Sequence, residues 1–294
     1  MVNILSKKAV LAHLAMSSWG VRKFDKDAAE EVLTKHAAEK QTGLFTKRLL
    51  NKKAMKEIRS IRSAARTYHK EHTLPWNNDG VRILPTEIYL EYKAEMDKFK
   101  NEFTKAVASF IKEYPTYQAQ AKKELGSLYN ENDYPSAANV RARFGMEVII
   151  DPVPATGDFR AELDPVLIAE VNKDLDTRLN SVLQDALKDA AQRVAETVGH
   201  MVERLKAYKP SDKSKGKKVE GKFHDSLVEH VRDLAKLLPA FNLNKDPKLD
   251  ALQKRIMKEL CPHDPEALRD DDALRKKVVK EAEAILKHVS EFIS

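Results

Sequence analysis

A run of apolar residues at helical spacing across residues 165–207 constrains the fold more than any other feature of the sequence. Asp164 followed by Pro165 marks its start as an N-cap and a first-turn proline, which has no N–H to lose there. At 1.5 Å per residue, about 43 helical residues extend roughly 65 Å, a length that a compact globule cannot enclose. The sequence therefore predicts a long helix that packs lengthwise against another helix.

A second long segment, residues 85–129, has the same period and is rich in aromatic residues such as Tyr92 and Phe103. We expect Pro115 to kink or end its first helix, and a second helix to follow from Tyr117. The lengths of the two segments favour an antiparallel, coiled-coil-like helical hairpin.

The connection between these segments, residues 130–163, breaks the helical period. Ser136 is a plausible cap for one short helix. Met146, Val148 and Ile150 then alternate with Glu147, Ile149 and Asp151, which is the period of two expected of a strand. Its expected partner is residues 159–163 or another subunit, because a lone strand leaves its backbone unpaired. The predicted fold is all-α: a long antiparallel helical hairpin with a small β element at its tip, plus flanking helices.

Composition shifts divide the chain into four expected parts. Residues 1–82 form a basic N-terminal helical region, and residues 83–208 form the long helical hairpin, with its β tip at 130–163. Residues 209–222 form a Lys-rich linker, and residues 223–294 a C-terminal helical cluster. Only 9 of the 294 residues are glycine and 33% are charged, which fits long, solvent-facing helices.

The positive charge is concentrated near the amino end. Residues 1–82 hold 17 Lys/Arg against 8 Asp/Glu, a surplus of +9 in a chain whose formal charge is +7. The linker, residues 209–222, adds a second surplus. Because local potential rather than total charge attracts a polyanion, the first region is the candidate binding region.

Seven cations in this region recur at spacings of three and four residues, opposite an apolar stripe that contains Ile58 and Ile61. Single-strand binders combine cations on phosphates with planar groups on bases. A solvated helix face, or a surface for an acidic protein or a lipid, is the alternative interpretation, and Trp76 also suits core packing. The candidate nucleic-acid contacts are Arg48, Lys52, Lys56, Arg59, Arg62, Arg66 and Lys70, with Tyr68 and Trp76 as possible stacking groups.

No catalytic or metal-binding pattern is present in the sequence. His69 with His72 and Cys261 with His263 are isolated pairs, and a zinc site needs a second pair. We therefore expect no catalytic residue, no metal, no cofactor and no enzyme activity. A single cysteine suits a reducing cytoplasm, and no apolar run is long enough to cross a membrane.

Residues 134–160 resemble a family of uncharacterised proteins, a domain of unknown function found mostly in bacteriophages and prophages. The shared pattern begins with Tyr134-Pro135-Ser136, Arg141 and Phe144, and continues with Pro152-Val153-Pro154 and Asp158-Phe159-Arg160. With the flanking helices, the resemblance covers residues 80–208. It implies a phage origin, the host cell cytoplasm and genes for ring ATPases and nucleic-acid enzymes as neighbours.

The leading functional hypothesis is a phage-encoded, non-enzymatic nucleic-acid-binding protein that acts in phage DNA metabolism, with single-stranded DNA favoured as ligand. The alternative is an oligomeric assembly or adaptor protein, either a partner of a ring ATPase or a virion structural component. Homo-oligomers are expected, and no membrane partner. In the alternative, a partner binds at the tip through Arg141, Arg143 and Arg160.

Overall fold

The protein has a mixed α/β fold, and the all-α prediction is wrong. A computed structural model describes residues 4–76, 80–155, 164–211 and 219–293. Within these ranges the chain is 67% helical and also contains a four-stranded antiparallel sheet and a two-stranded sheet.

The strands of the larger sheet come from segments that are distant in sequence. Its order is β4-β5-β1-β6, and β2 pairs with β3 in the smaller sheet. The strands are β1 (Ala9–Ser17), β2 (Arg22–Phe24), β3 (Thr46–Arg48), β4 (Leu74–Pro75), β5 (Val81–Pro85) and β6 (Gly145–Pro152). Strand β1 was not predicted from the sequence because its alanines and leucines are good helix formers. Pairing with distant strands overrides that preference.

The helices account for most of the described chain, and several of them begin with a side-chain cap. Asp25, Ser136 and Asp164 each accept a hydrogen bond from a backbone N–H of the first turn. The helices are α1 (Ile4–Lys8), α2 (Lys26–Lys35), α3 (Lys56–Glu71), α4 (Tyr89–Leu125), α5 (Ala137–Arg141), α6 (Pro165–Ala207), α7 (Ser226–Phe241), α8 (Pro247–Glu259), α9 (Pro265–Asp270) and α10 (Asp272–Ile293).

The long helix is buried by helices that follow it in the chain. Helix α6 has the expected bounds, but its apolar stripe is buried in a cluster with α7, α8 and α10. Among the residues that the structure describes, this cluster contains none from the body of α4. The later helices therefore supply the apolar surface that the long helix needs.

The strand predicted at Met146–Ile150 is confirmed as part of β6, and it belongs to the four-stranded sheet. Its neighbour in the sheet is β1, so it is not a small element at the tip of a hairpin. The expected partner, residues 159–163, lies outside the described residues. Helix α4 also continues through Pro115 to Leu125 as one helix, so the proline does not end it.

The chain divides into two compact units. Unit 1 comprises residues 1–12, 72–90 and 150–294, and its core is built on α6 and the C-terminal helices. Unit 2 comprises residues 13–71 and 91–149 and holds α3, most of α4 and the β2–β3 pair. In unit 2, aromatic side chains of α4 form the core, as in the edge-on contact of Trp19 with Tyr114 at 5.7 Å.

Candidate nucleic-acid interface

Helix α3 separates its cations from its buried side by the helical repeat. The side chains of Ile58, Ala65 and His69 are buried. At about 100° per residue, the four cations between positions 59 and 70 fall within about 80° of the helix circumference. Glu57 and Glu71 lie on the opposite flank by the same count. These four cations are Arg59, Arg62, Arg66 and Lys70.

The cations predicted from sequence remain available to an external anion. Arg48 and Arg62 are half-buried, and the other five are exposed. Among the described residues, no carboxylate oxygen lies within 4.0 Å of a charged nitrogen of any of the seven. The later helices therefore leave these cations without ion pairs in the described part of the chain. We call Lys52, Lys56, Arg59, Arg62, Arg66 and Lys70 the α3 basic face.

Arg62 anchors this face to the rest of unit 2. Its Nη1 donates a hydrogen bond to the Ser18 hydroxyl. Burial, together with the positive charge of Arg66, lowers the pKa of Arg62 from its ordinary value. Neighbouring guanidinium groups repel each other, so an anion placed between them relieves an unfavourable interaction.

The two predicted stacking groups are packed inside the protein. The Tyr68 ring stacks on Tyr92 with centroids 6.1 Å apart and also contacts Phe99 at 5.9 Å. Burial raises the pKa of Tyr68 to about 12. Trp76 is half-buried against the hydrophobic core of unit 1. Both rings therefore already pack against protein.

The predicted partner-binding tip is described only in part. Arg141 ends α5, and both Arg141 and Arg143 are exposed. Phe144 packs edge-on against Phe103 and Phe110 and so fixes this segment to α4. Arg160 lies outside the described residues, so the structure does not place it beside the other two arginines.

Sequence reasoning missed Arg22, which pairs in register with Arg48 across the β2–β3 sheet. Each of these strands has three residues, too few for an alternating pattern to stand out. The sequence signal that was available is the lysine and arginine pair at the start of β2, which matches the pair at the end of β3.

The contacts of one buried lysine in unit 2 indicate a structural role. The Lys47 ammonium is 2.7 Å from a carboxylate oxygen of Asp25, from one of Asp133 and from the Leu128 carbonyl oxygen. An ammonium group has three hydrogens, so these three acceptors use all of them. Lys47 therefore has no donor left for a substrate.

Metal binding, thiol chemistry and membrane insertion find no support among the residues that the structure describes. They contain no group of three or more His, Cys, Asp or Glu side chains that could hold a metal ion. Cys261 is buried, and burial raises the pKa of its thiol, which disfavours the reactive thiolate. No helix in the described ranges is long and apolar enough to cross a membrane.

Comparison with known proteins places the chain in a family without assigning an activity. A family model described as a protein of unknown function, DUF3150, matches residues 6–224. No curated protein and no solved structure matches. The match is wider than the resemblance seen at residues 80–208, and it includes β1, the β2–β3 pair and the α3 basic face. The chain therefore belongs to the DUF3150 family of proteins of unknown function.

Proposed function

We propose that this protein binds nucleic acid, without catalysing a reaction, through phosphate contacts made by the α3 basic face. The observation that carries the proposal is that five of its six cations lie along one flank of α3, and that none of the six forms an ion pair with any described carboxylate. Phosphate contacts supply most of the affinity of non-specific nucleic-acid binding.

The dimensions of the face suit a phosphodiester backbone. From Lys56 to Lys70 the helix rises about 21 Å, and the five cations in this span lie within about 120° of its circumference. A linear array of charges on the protein matches a linear array on the ligand. The exposed cations contact successive phosphates, and Arg62, held by Ser18, fixes the middle of the row.

Low base specificity is part of the proposal. Tyr68 and Trp76 already pack against protein, and phosphate contacts carry no sequence information directly. Single-stranded DNA is the first ligand to test, since a flexible strand can follow the helix surface. The sequence resemblance supports phage DNA metabolism in the host cytoplasm as the setting that we propose for this protein.

The test is a triple charge reversal, Arg59→Glu, Arg66→Glu and Lys70→Glu. Binding is measured with a fluorescently labelled single strand of 30 deoxythymidine nucleotides. All three side chains are exposed, so the helix content should not change. Wild-type affinity should fall about 100-fold between 50 and 200 mM salt, the response of roughly five phosphate contacts to a single strand. The variant should show no binding at 50 mM salt.

The control for this experiment reverses the same amount of charge elsewhere in unit 2. Lys105, Lys112 and Lys123 on α4 are exposed, so the triple change of these lysines to Glu makes an equal change in net charge. This control should retain most of the affinity. If wild-type protein does not bind at 50 mM salt, or if both triple variants lose binding equally, the proposal is wrong.

A second candidate function, self-association in an assembly or adaptor protein, is favoured by the start of α6. The first fully buried side chain of this helix is Leu179, so its first 14 residues bury none completely. Val166 is 75% exposed and Leu167 is 49% exposed. Apolar side chains that remain exposed on a long helix favour pairing with a second copy of the chain. A mass determination tests this candidate.

A further inference from the structure

The β2–β3 pair has two chemically different faces. In the register of the pair, Arg22 is opposite Arg48 and Phe24 is opposite Thr46. Side chains alternate between the faces of a sheet, so these four share one face. Arg22, Phe24 and Thr46 are exposed and Arg48 is half-buried, which shows that this face points to solvent.

The other face carries the lysine pair, and its repulsion is compensated. Lys23 is opposite Lys47, and the two carboxylate oxygens of Asp133 lie 3.0 Å and 2.7 Å from the two ammonium groups. Asp25 adds a second carboxylate to Lys47. Like charges directly opposite each other in a strand pair are destabilising, and here acids offset the effect.

The arginine pair on the outer face has no such compensation. Among the described residues, no carboxylate oxygen lies within 4.0 Å of the guanidinium nitrogens of Arg22 or Arg48. The fold thus holds two guanidinium groups on neighbouring strands at the surface without an acid from the described chain. An external anion would supply the missing charge.

Phe24 adds an exposed aromatic ring to the same face. Its residue surface is 47% exposed, which is unusual for so large an apolar side chain. It lies two residues from Arg22 on one strand, so both project in the same direction. A planar ring beside cations is the combination that binds unpaired bases together with their phosphates.

We infer that this outer face of β2–β3 is the base-stacking part of the nucleic-acid interface, with Arg22 and Arg48 on phosphates and Phe24 on a base. The inference rests on the proposed function and selects single-stranded nucleic acid as its ligand. Phe24 supplies the stacking surface that the packed rings of Tyr68 and Trp76 do not offer.

The outer face connects to the α3 basic face along the chain. Lys52 follows Arg48 by four residues, and Arg59 Nη2 donates to the Lys52 carbonyl oxygen at 3.2 Å. This hydrogen bond ties Arg59 on helix α3 to Lys52 in the segment that follows β3. One strand of nucleic acid can therefore run from the arginine pair to the helix.

The first test changes the ring and compares single-stranded with duplex DNA of equal length. Phe24→Ala should weaken binding of a deoxythymidine strand fivefold or more, the loss of one base–aromatic stack, and binding of the duplex less than twofold. Phe24→Trp should retain the affinity, and its added indole fluorescence should be quenched by the single strand. Leu44→Ala, another exposed apolar position of unit 2, is the matched control.

The second test removes one guanidinium group. Arg22→Ala should weaken binding of the single strand and reduce the slope of log affinity against log salt by roughly 0.7, the value for one phosphate contact. Removing one of two opposed cations relieves repulsion, so the melting temperature should be unchanged or higher. Lys112→Ala, an exposed lysine on α4, should change neither the affinity nor the slope.

The outcomes separate this inference from the proposed function. If the α3 triple reversal abolishes binding while Phe24→Ala and Arg22→Ala bind like wild type, the inference is overturned and the proposed function stands. Equal losses for single-stranded and duplex DNA in Phe24→Ala also overturn it, because a duplex offers no unpaired base. Wild-type protein that binds neither DNA overturns both.

Discussion

At the scale of single residues, the most constrained charge in unit 2 is Lys47, which is 7% exposed. Burial acts to lower the pKa of Lys47, but hydrogen bonds to Asp133 and Asp25 outweigh it and raise that pKa. Burial likewise acts to raise the pKa of Asp133, and hydrogen bonds from Lys47 and Lys23 outweigh it and lower that pKa. This ion cluster joins β2, β3 and the turn before Tyr134, and so positions the β2–β3 pair.

Replacing the buried lysine should destabilise the protein strongly. Lys47→Met leaves Asp25 and Asp133 without their shared partner and should lower the free energy of unfolding by about 3–5 kcal/mol, measured by urea denaturation. Lys40→Met breaks an exposed ion pair with Glu30 in the same unit and should cost less than about 1 kcal/mol. Similar losses in the two variants would contradict a structural role for Lys47.

The pH dependence of stability is a second readout of the same variant. The hydrogen bond from Lys47 lowers the pKa of Asp25, so both acids of the cluster titrate below the unfolded value of about 4. Their contribution is present above that value and is lost as the pH falls toward the folded pKa values. Lys47 contributes below its unfolded pKa, and that contribution is lost as the pH rises through its raised folded pKa. In Lys47→Met, the free energy of unfolding should fall less on acidification than it does in the wild-type protein.

At the scale of elements, α4 shows how packing overrides a local signal. Pro115 lies inside the helix and is exposed, while residues on both sides of it bury their rings in one aromatic cluster. Phe110 contacts Tyr114 at 6.0 Å and Tyr117 at 5.8 Å. These contacts hold the two halves in one helix despite the hydrogen bond that the proline cannot donate.

Removing this proline should therefore stabilise the protein. Pro115→Ala restores a backbone donor and removes a steric clash, together worth about 3 kcal/mol in a helix interior. Higher entropy of the unfolded chain offsets about 0.4–1 kcal/mol, so we expect a net gain near 2 kcal/mol in chemical denaturation. Thr116→Ala at the next exposed position should change stability by less than about 0.5 kcal/mol. A destabilised Pro115→Ala would contradict this prediction.

At the scale of the whole molecule, the chain builds two compact units whose segments alternate along the sequence. Basic segments at positions 22–23 and 47–70 meet in unit 2, whereas the C-terminal helices belong to unit 1. Within the described residues, the long helix α6 buries side chains fully from Leu179 onward, so its first turns remain a candidate surface for a second copy.

Self-association through α6 has a direct test. Light scattering at about 50 μM protein should show an oligomer, and Val166→Glu with Leu167→Glu should convert it to a monomer. Both side chains are exposed, so the double variant should fold normally. Leu90→Glu, at a position that is 79% exposed, is the control and should keep the wild-type mass. A wild-type monomer would eliminate this candidate.

Local features of the fold were predictable because their causes lie within a few residues. The caps at Asp25, Ser136 and Asp164 satisfy backbone donors two or three positions away, and the period of α6 is visible along its own sequence. The cations of the α3 basic face were predictable for the same reason, since residues three and four apart share a helix face. Their lack of ion pairs with described acids was not visible in the sequence.

Three features could be predicted from the sequence alone: the capped helices, the long period of α6 and the concentration of cations near the amino end. Only the tertiary structure decided that Ala9–Ser17 is a strand, that α6 packs with the C-terminal helices, and that Arg22 lies opposite Arg48. The two groups of features differ in how far apart along the sequence the interacting residues lie. Capping and helical periodicity act within one or two turns, whereas strand pairing and burial depend on segments that the chain brings together from far apart.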